Sequence, residues 1–281
     1  RPGHHHRHIP PAYVPLPGRR PKQSKLRVQS AGIRGVDVRI LMLTTSLMLA
    51  AFVTLTACSS LTNEEKNYKA AVEFQEQGKL QEAIDEYGKV LELDPRFVDA
   101  YANRGEVYTK IGEYQKAIQD YDQVIQLNPD NEKAYFNRGN LHANLGEPDL
   151  AIGDYSQAIR IAPLTQDYHH RRANVHARLG HKESALQDYA EAIRLDSGVA
   201  EVFVDRGKYY GNLNQHQQAL EDFTEAIRLD IDNREAFGLR SVGNARVGND
   251  DAAQQDLERA VALGYPQSFL EDTIQQIKDR R

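Results

Sequence analysis

From Glu64 to Gln267 the chain repeats at a period of 34 residues. Tyr101-x-x-Arg-Gly-x-x-Tyr returns as Tyr135-x-x-Arg-Gly-x-x-His and as Phe203-x-x-Arg-Gly-x-x-Tyr. Cutting at that period gives 64–97, 98–131, 132–165, 166–199, 200–233 and 234–267 with no insertion. Such a register excludes most folds. Each unit is too small to bury its own apolar face, so neighbouring copies must bury it, and the chain becomes a one-dimensional stack.

The repeated positions say what is stacked. Alanine fills the twentieth position every time: Ala83, Ala117, Ala151, Ala185, Ala219 and Ala253. The eighth is always small: Ala71, Gly105, Gly139, Ala173, Gly207 and Ser241. The twenty-fourth is Tyr87, Tyr121, Tyr155, Tyr189 or Phe223, then Leu257. Small residues let two helix backbones approach, and a ring fills the space left over. The fifteenth position, Gly78, Gly112, Gly146, Gly180, Asn214 and Gly248, suits the left-handed turn between two helices. Pro95, Pro129 and Pro163 stop the second helix, because proline cannot continue the hydrogen-bond ladder.

These features resemble the tetratricopeptide repeat, over 204 of the 281 residues. The resemblance implies an all-α chain: a right-handed α-solenoid of six 34-residue helix-turn-helix repeats plus a C-terminal capping helix. For that cap, residues 268–281, Ser268 and Glu271 are expected to form a capping box, and Phe269, Leu270, Ile274 and Ile277 an apolar stripe.

One regularity departs from the common family pattern, which has leucine at the seventh position. Five units carry arginine there (Arg104, Arg138, Arg172, Arg206, Arg240) and aspartate at the twenty-third (Asp120, Asp154, Asp188, Asp222, Asp256). Matched charges predict structural ion pairs, within or between repeats. His142 and His176 occupy the eleventh position, where Tyr108 and Tyr210 sit in other units, with His169 and His170 close in sequence. Zinc needs about four converging ligands, so these histidines read as replacements for a packed tyrosine and no metal is expected.

The segment before the repeats has another composition. Residues 1–63 hold nine Lys/Arg against one acid, Asp37, a net of +8, which leaves −13 for residues 64–281. A body of that charge is a poor match for nucleic acid, whose binders present a basic face. Residues 1–37 contain six of the eleven prolines and no apolar period. They read as a disordered leader, or as upstream sequence if translation starts near Val38.

Residues 38–57 read as a signal peptide, a basic flank at Arg39 and then an apolar run. The run ends in Leu55-Thr56-Ala57-Cys58, which resembles the lipobox of bacterial lipoproteins, and Cys58 is the sole cysteine. That resemblance implies cleavage before Cys58, a lipid on its thiol, palmitate among the acyl chains, and 58–63 as a lipidated linker. With Ser59 following, it implies the outer membrane facing the periplasm in a Gram-negative cell. Two or three acyl chains would anchor stably, at about 0.8 kcal/mol per buried methylene.

No nucleophile elbow, phosphate loop, HExxH run or paired catalytic carboxylates stands out. The chain reads as no enzyme, without cofactor or small-molecule substrate. In the resembled family the first helix of each repeat lines a concave groove. The groove positions hold Asn103, Asn137, Asn140, Asn144, Arg171, Asn174, Arg178 and Lys208. Asparagine amides can both donate to and accept from a peptide backbone, and two aligned arginines can hold a carboxylate. Truncating Asn137, Asn140, Arg171, Asn174 and Arg178 is expected to leave stability within about 0.5 kcal/mol. The lysines of the family's chaperone clamp are missing, with Tyr68 and Ala102 in their places. The resemblance therefore implies an envelope-anchored scaffold, adaptor or assembly factor that holds proteins or extended peptide segments. The alternative is a peptide- or peptidoglycan-binding subunit of an envelope hydrolase or a secretion or pilus system.

Overall fold

A computed structural model describes residues 61–280. The leader, the signal peptide, Cys58 and the linker up to Ser60 lie outside the described residues, as does Arg281.

The described residues form thirteen helices and no strand. Six pairs follow one another: α1 (Asn63–Glu76) with α2 (Leu80–Leu93), α3 (Val98–Lys110) with α4 (Tyr114–Leu127), and α5 (Glu132–Leu145) with α6 (Pro148–Ile161). Then come α7 (Gln166–Leu179) with α8 (Lys182–Leu195), α9 (Ala200–Asn212) with α10 (His216–Leu229), and α11 (Arg234–Arg246) with α12 (Asp250–Ala262). Helix α13 (Gln267–Asp279) closes the stack. None of the described helices is long and apolar enough to cross a membrane.

The two helices of each repeat pack on each other, each second helix packs on the helix that follows it, and from the third repeat onward successive first helices also touch. The stack is the right-handed solenoid expected from the period, with first helices along the inner wall. The turn inside each repeat needs a positive φ: Gly146 sits at 76° and Gly180 at 74°. Asn214 takes the same turn at 56°, as one of the few side-chain-bearing residues that tolerate that region.

The close approach lies at the eighth, twentieth and twenty-fourth positions. All six alanines at the twentieth are buried, as are the four tyrosines, Phe223 and Leu257. In the repeats with glycine at the eighth position, the ring of the second helix lies against that residue. A Cβ added at Gly139 would stand 3.0 Å from Tyr155 Cε1, and one at Gly207 only 2.6 Å from Phe223 Cε1. At Gly105 the nearest ring atom would be 3.2 Å away. The core is accordingly a chain of local clusters. One joins Ala173, Ala185 and Tyr189 to Val202 and Tyr209 of the following repeat.

The five arginine–aspartate pairs form, and they lie within repeats. Arg138 donates from Nε to Asp154 Oδ2 at 2.9 Å and from Nη2 to Oδ1 at 2.6 Å. Arg104, Arg172, Arg206 and Arg240 make the same two-bond fork to Asp120, Asp188, Asp222 and Asp256. The third nitrogen, Nη1, reaches back to the preceding repeat in three cases: Asp122 at 2.5 Å, Ser156 at 2.9 Å and Thr224 at 3.2 Å. For Arg104 and Arg206 the corresponding residues are Gly88 and Ala190, which offer no side-chain acceptor. Each aspartate is buried, so removing one partner alone would strand a desolvated charge, at about 3–5 kcal/mol.

The C-terminal cap differs from its expectation in two respects. Helix α13 begins at Gln267 on an extended Pro266, which places Ser268 inside the first turn, and no side chain caps that end. Glu271 accepts instead from Gln267 Nε2 at 2.8 Å. Leu270 and Ile274 are buried and Ile277 packs against them, but Phe269 is 61% exposed and off the stripe. The capping box is found at the other end. Thr62 accepts from the Glu65 amide at 3.3 Å, and Glu65 from the Thr62 amide at 2.8 Å.

Two substitutions read the ring contact directly. Glycine to alanine raises helix propensity by about 0.5–1 kcal/mol, whereas overpacking costs about 1–3 kcal/mol. Gly207→Ala should therefore lower the thermal midpoint, because Phe223 must move. Gly105→Ala, with a looser ring, should leave the midpoint nearly unchanged in the same calorimetric comparison.

Candidate binding groove

Because first helices touch along the inner wall, their groove-facing residues come together across repeat boundaries. Six of the eight expected groove residues, Asn140, Asn144, Arg171, Asn174, Arg178 and Lys208, line one concavity of about 440 Å³ across repeats three to five. Asn103 and Asn137 are not part of it. Asn103 donates to the Tyr68 hydroxyl at 2.9 Å, and Asn137 belongs beside the Tyr121 hydroxyl. Asn212 also lines the concavity. A smaller continuation of about 170 Å³ shares Lys208 and Asn212 and adds Arg246 of repeat six. Arg246 sits at the thirteenth position, like Arg178, so the period alone could have located it.

The asparagines serve the core as well as the groove. The Tyr155 hydroxyl donates to Asn140 Oδ1 at 2.7 Å, and the Tyr189 hydroxyl to Asn174 Oδ1 at 2.5 Å. Burial pushes the Tyr155 hydroxyl up to about 12, so it remains a neutral donor. Asn174 Nδ2 in turn donates to Asp205 Oδ2 at 2.9 Å, and His170 Nε2 lies 2.9 Å from that same oxygen. Burial alone would raise the Asp205 carboxyl, but the bonds from His170 and Asn174 hold it below the usual carboxylate range. The expectation that groove polarity is idle in folding is thus corrected. Asn174 closes a chain from a buried tyrosine to a carboxylate of the next repeat.

The groove cations divide into two groups. Arg171 is paired with Asp167 at 3.1 Å and lies 3.8 Å from Glu201. Lys208 bridges Asp205 at 3.4 Å and Glu235 at 2.6 Å. Arg178 is exposed at the groove edge and has no carboxylate within ion-pair reach among the described residues. The two arginines read as an aligned carboxylate clamp are therefore unequal: Arg171 is already neutralised and Arg178 is not.

The two eleventh-position histidines take separate partners: His142 Nδ1 lies 2.6 Å from Glu147, and His176 Nδ1 lies 3.3 Å from His181 Nδ1. Both hold the place taken by Tyr108 and Tyr210 beside the arginine forks, where those rings stack on Arg104 and Arg206. His170, Glu201 and Asp205 do bring three ligand-type atoms within 4.8 Å of one another. Arg171 and Lys208 already neutralise those carboxylates, so little charge is left to draw in a cation.

The repeat geometry finds its counterpart among known families. The TPR repeat model matches residues 71–112 and 105–146, and tetratricopeptide repeat models match 132–163, 166–198 and 200–233. The chain belongs to the tetratricopeptide repeat family. Beyond these matches, α11 and α12 add a sixth repeat of the same form. Solved tetratricopeptide structures share the fold at low identity. PilW, described as a widely conserved type IV pilus biogenesis factor, aligns at a TM-score of 0.64 and 16% identity, over 78% of this chain and 99% of its own. YrrB, described as a TPR protein with an unusual peptide-binding site, aligns at 0.54 and 22%, over 66% and 94%. A tetratricopeptide repeat protein from Parabacteroides merdae aligns at 0.56 and 20%, over 82% and 89%. No curated protein matches the chain.

A mutant cycle tests the dual role of Asn174. Asn174→Ala strands the Tyr189 hydroxyl and should cost about 1–3 kcal/mol in urea unfolding. In a Tyr189→Phe background the same change should cost clearly less, a coupling of at least about 0.5 kcal/mol. Additive effects would show that the hydroxyl bond carries no weight.

Proposed function

We propose that this tetratricopeptide protein is a non-catalytic adaptor that holds an extended segment of another protein in the groove of repeats three to five, anchored to the cell envelope by a lipid on Cys58. The observation that carries the groove reading is the set of exposed donors without protein partners, Asn144, Arg178 and Asn212, around a concavity of about 440 Å³. Residues needed only for the solenoid would have been satisfied internally, as Asn140 and Asn174 are. The family membership supports the same role. YrrB, with its peptide-binding site, and PilW, a pilus biogenesis factor, offer precedents on this fold for peptide binding and for pilus biogenesis.

The anchoring reading rests on Leu55-Thr56-Ala57-Cys58 with its basic flank and apolar run. An adaptor tethered by acyl chains searches two dimensions and needs no spanning helix. The expected location is the outer membrane facing the periplasm in a Gram-negative cell, with envelope proteins as partners.

Cys58→Ala should abolish metabolic palmitate labelling and leave an uncleaved precursor on gels. A mature-sized, labelled product from that variant would dismiss the lipid anchor. For the groove, a photoreactive residue at Asn212 should crosslink to a partner polypeptide in intact cells. The same residue at exposed Gln254, on a second helix, should not.

A further inference from the structure

The thirteenth position of the repeats forms a row that the rest of the groove does not explain. From the second repeat onward it reads Lys110, Asn144, Arg178, Asn212, Arg246, one residue per repeat in the last turn of each first helix. All five side chains are exposed. None has a carboxylate or hydrogen-bond partner among the described residues. Four of them, Asn144 to Arg246, line the two adjoining concavities. The row alternates cation and amide.

The opposite edge of the same helices carries the other sign. The second position reads Asp99, Lys133, Asp167, Glu201 and Glu235. The acids there take up Arg171 and Lys208, so the central cations are spent. Lys110, Arg178 and Arg246 remain as uncompensated positive charge on a body whose net charge is −13. Beside the row, at the fourteenth position, Ile111, Leu145, Leu179 and Val247 are 38–42% exposed, an apolar rail parallel to the donors.

We infer that this edge binds an extended acidic segment of a partner protein, with carboxylate side chains at Arg178 and Arg246, a backbone carbonyl between them at Asn212, and apolar side chains against the rail. The inference rests on the groove reading above and adds the chemistry of the occupant. Neighbouring first helices lie about 8–10 Å apart, so Arg178 and Arg246 are separated by roughly 20 Å. An extended chain advances about 3.3 Å per residue, so the two acids fall about six residues apart. The protein's own N-terminal segment does not supply the occupant: residues 1–63 hold a single acid, Asp37, and residues 58–63, which follow the proposed cleavage site, hold none.

The test uses the full-length protein in detergent micelles and fluorescein-labelled twelve-residue peptides, read by anisotropy. One peptide has glutamate at two sites six residues apart in a Ser/Leu background. Its companions carry glutamine or lysine at those sites. The glutamate peptide should bind about tenfold tighter than the glutamine one, about threefold for each exposed pair, and the advantage should shrink as salt rises. Arg178→Ala with Arg246→Ala should erase it. Arg194→Ala with Arg228→Ala removes equal charge from arginines paired locally on second helices, and should preserve it; circular dichroism confirms that both variants fold. Equal binding of the glutamate, glutamine and lysine peptides would overturn the acidic preference and leave the groove reading standing. Binding of no peptide by the intact protein would overturn both. Equally tight capture of a single-stranded oligothymidine would show a plain anion exchanger and also overturn the inference.

Discussion

A helix can rest an aromatic ring against the backbone of its neighbour only where that neighbour carries almost no side chain. This contact, between the eighth and twenty-fourth positions, sets the distance between the helices of each repeat. Gly105 under Tyr121, Gly139 under Tyr155 and Gly207 under Phe223 show it in three versions of decreasing clearance. The buried alanine at the twentieth position keeps the approach open. With that distance fixed, the left-handed turn at the fifteenth position and the stacking of first helices follow.

Close packing around a tyrosine brings in a polar atom that has to be satisfied. The hydroxyls of Tyr155 and Tyr189 emerge at the inner wall and are met by Asn140 and Asn174. Part of the groove's polarity is therefore a requirement of the core. Where the ring is Phe223 no hydroxyl arrives, and the ninth position of that repeat is Lys208, free to pair with Asp205 and Glu235. On the other side of the ring, the arginine forks neutralise aspartates that burial would otherwise penalise. Three of the five reach one repeat further back.

The fold was legible because its determinants are periodic. Alanine recurs at the twentieth position in all six units and glycine at the fifteenth in five, and the paired Arg and Asp were visible as matched columns. The partners within those columns were not visible, since Arg138 could have met an aspartate of its own repeat or of the last. Arg138 meets both: Asp154 of its own repeat takes two nitrogens in a fork, and Asp122 of the preceding repeat takes the third. In the groove, periodicity located six of eight residues but could not say which were already engaged. That depended on contacts across repeat boundaries, such as Asn174 to Asp205 and Arg171 to Glu201, which no single repeat contains. At the C-terminal cap the local signal of Ser268 and Glu271 was overridden by Pro266, which starts the helix before the serine can cap it.

Each arginine of the seventh position closes its own repeat on an aspartate 16 residues ahead, and the three that also reach the preceding repeat do so 16 residues back. A gene that gains or loses one whole unit of 34 codons therefore re-forms the same junction from the residues that become adjacent. Copy number can drift by unequal recombination while the inner wall keeps its columns aligned, and each added unit lengthens the groove by one fixed step. In such a lineage the reach of the protein is inherited as a count, and its chemistry as the letters written at a few columns.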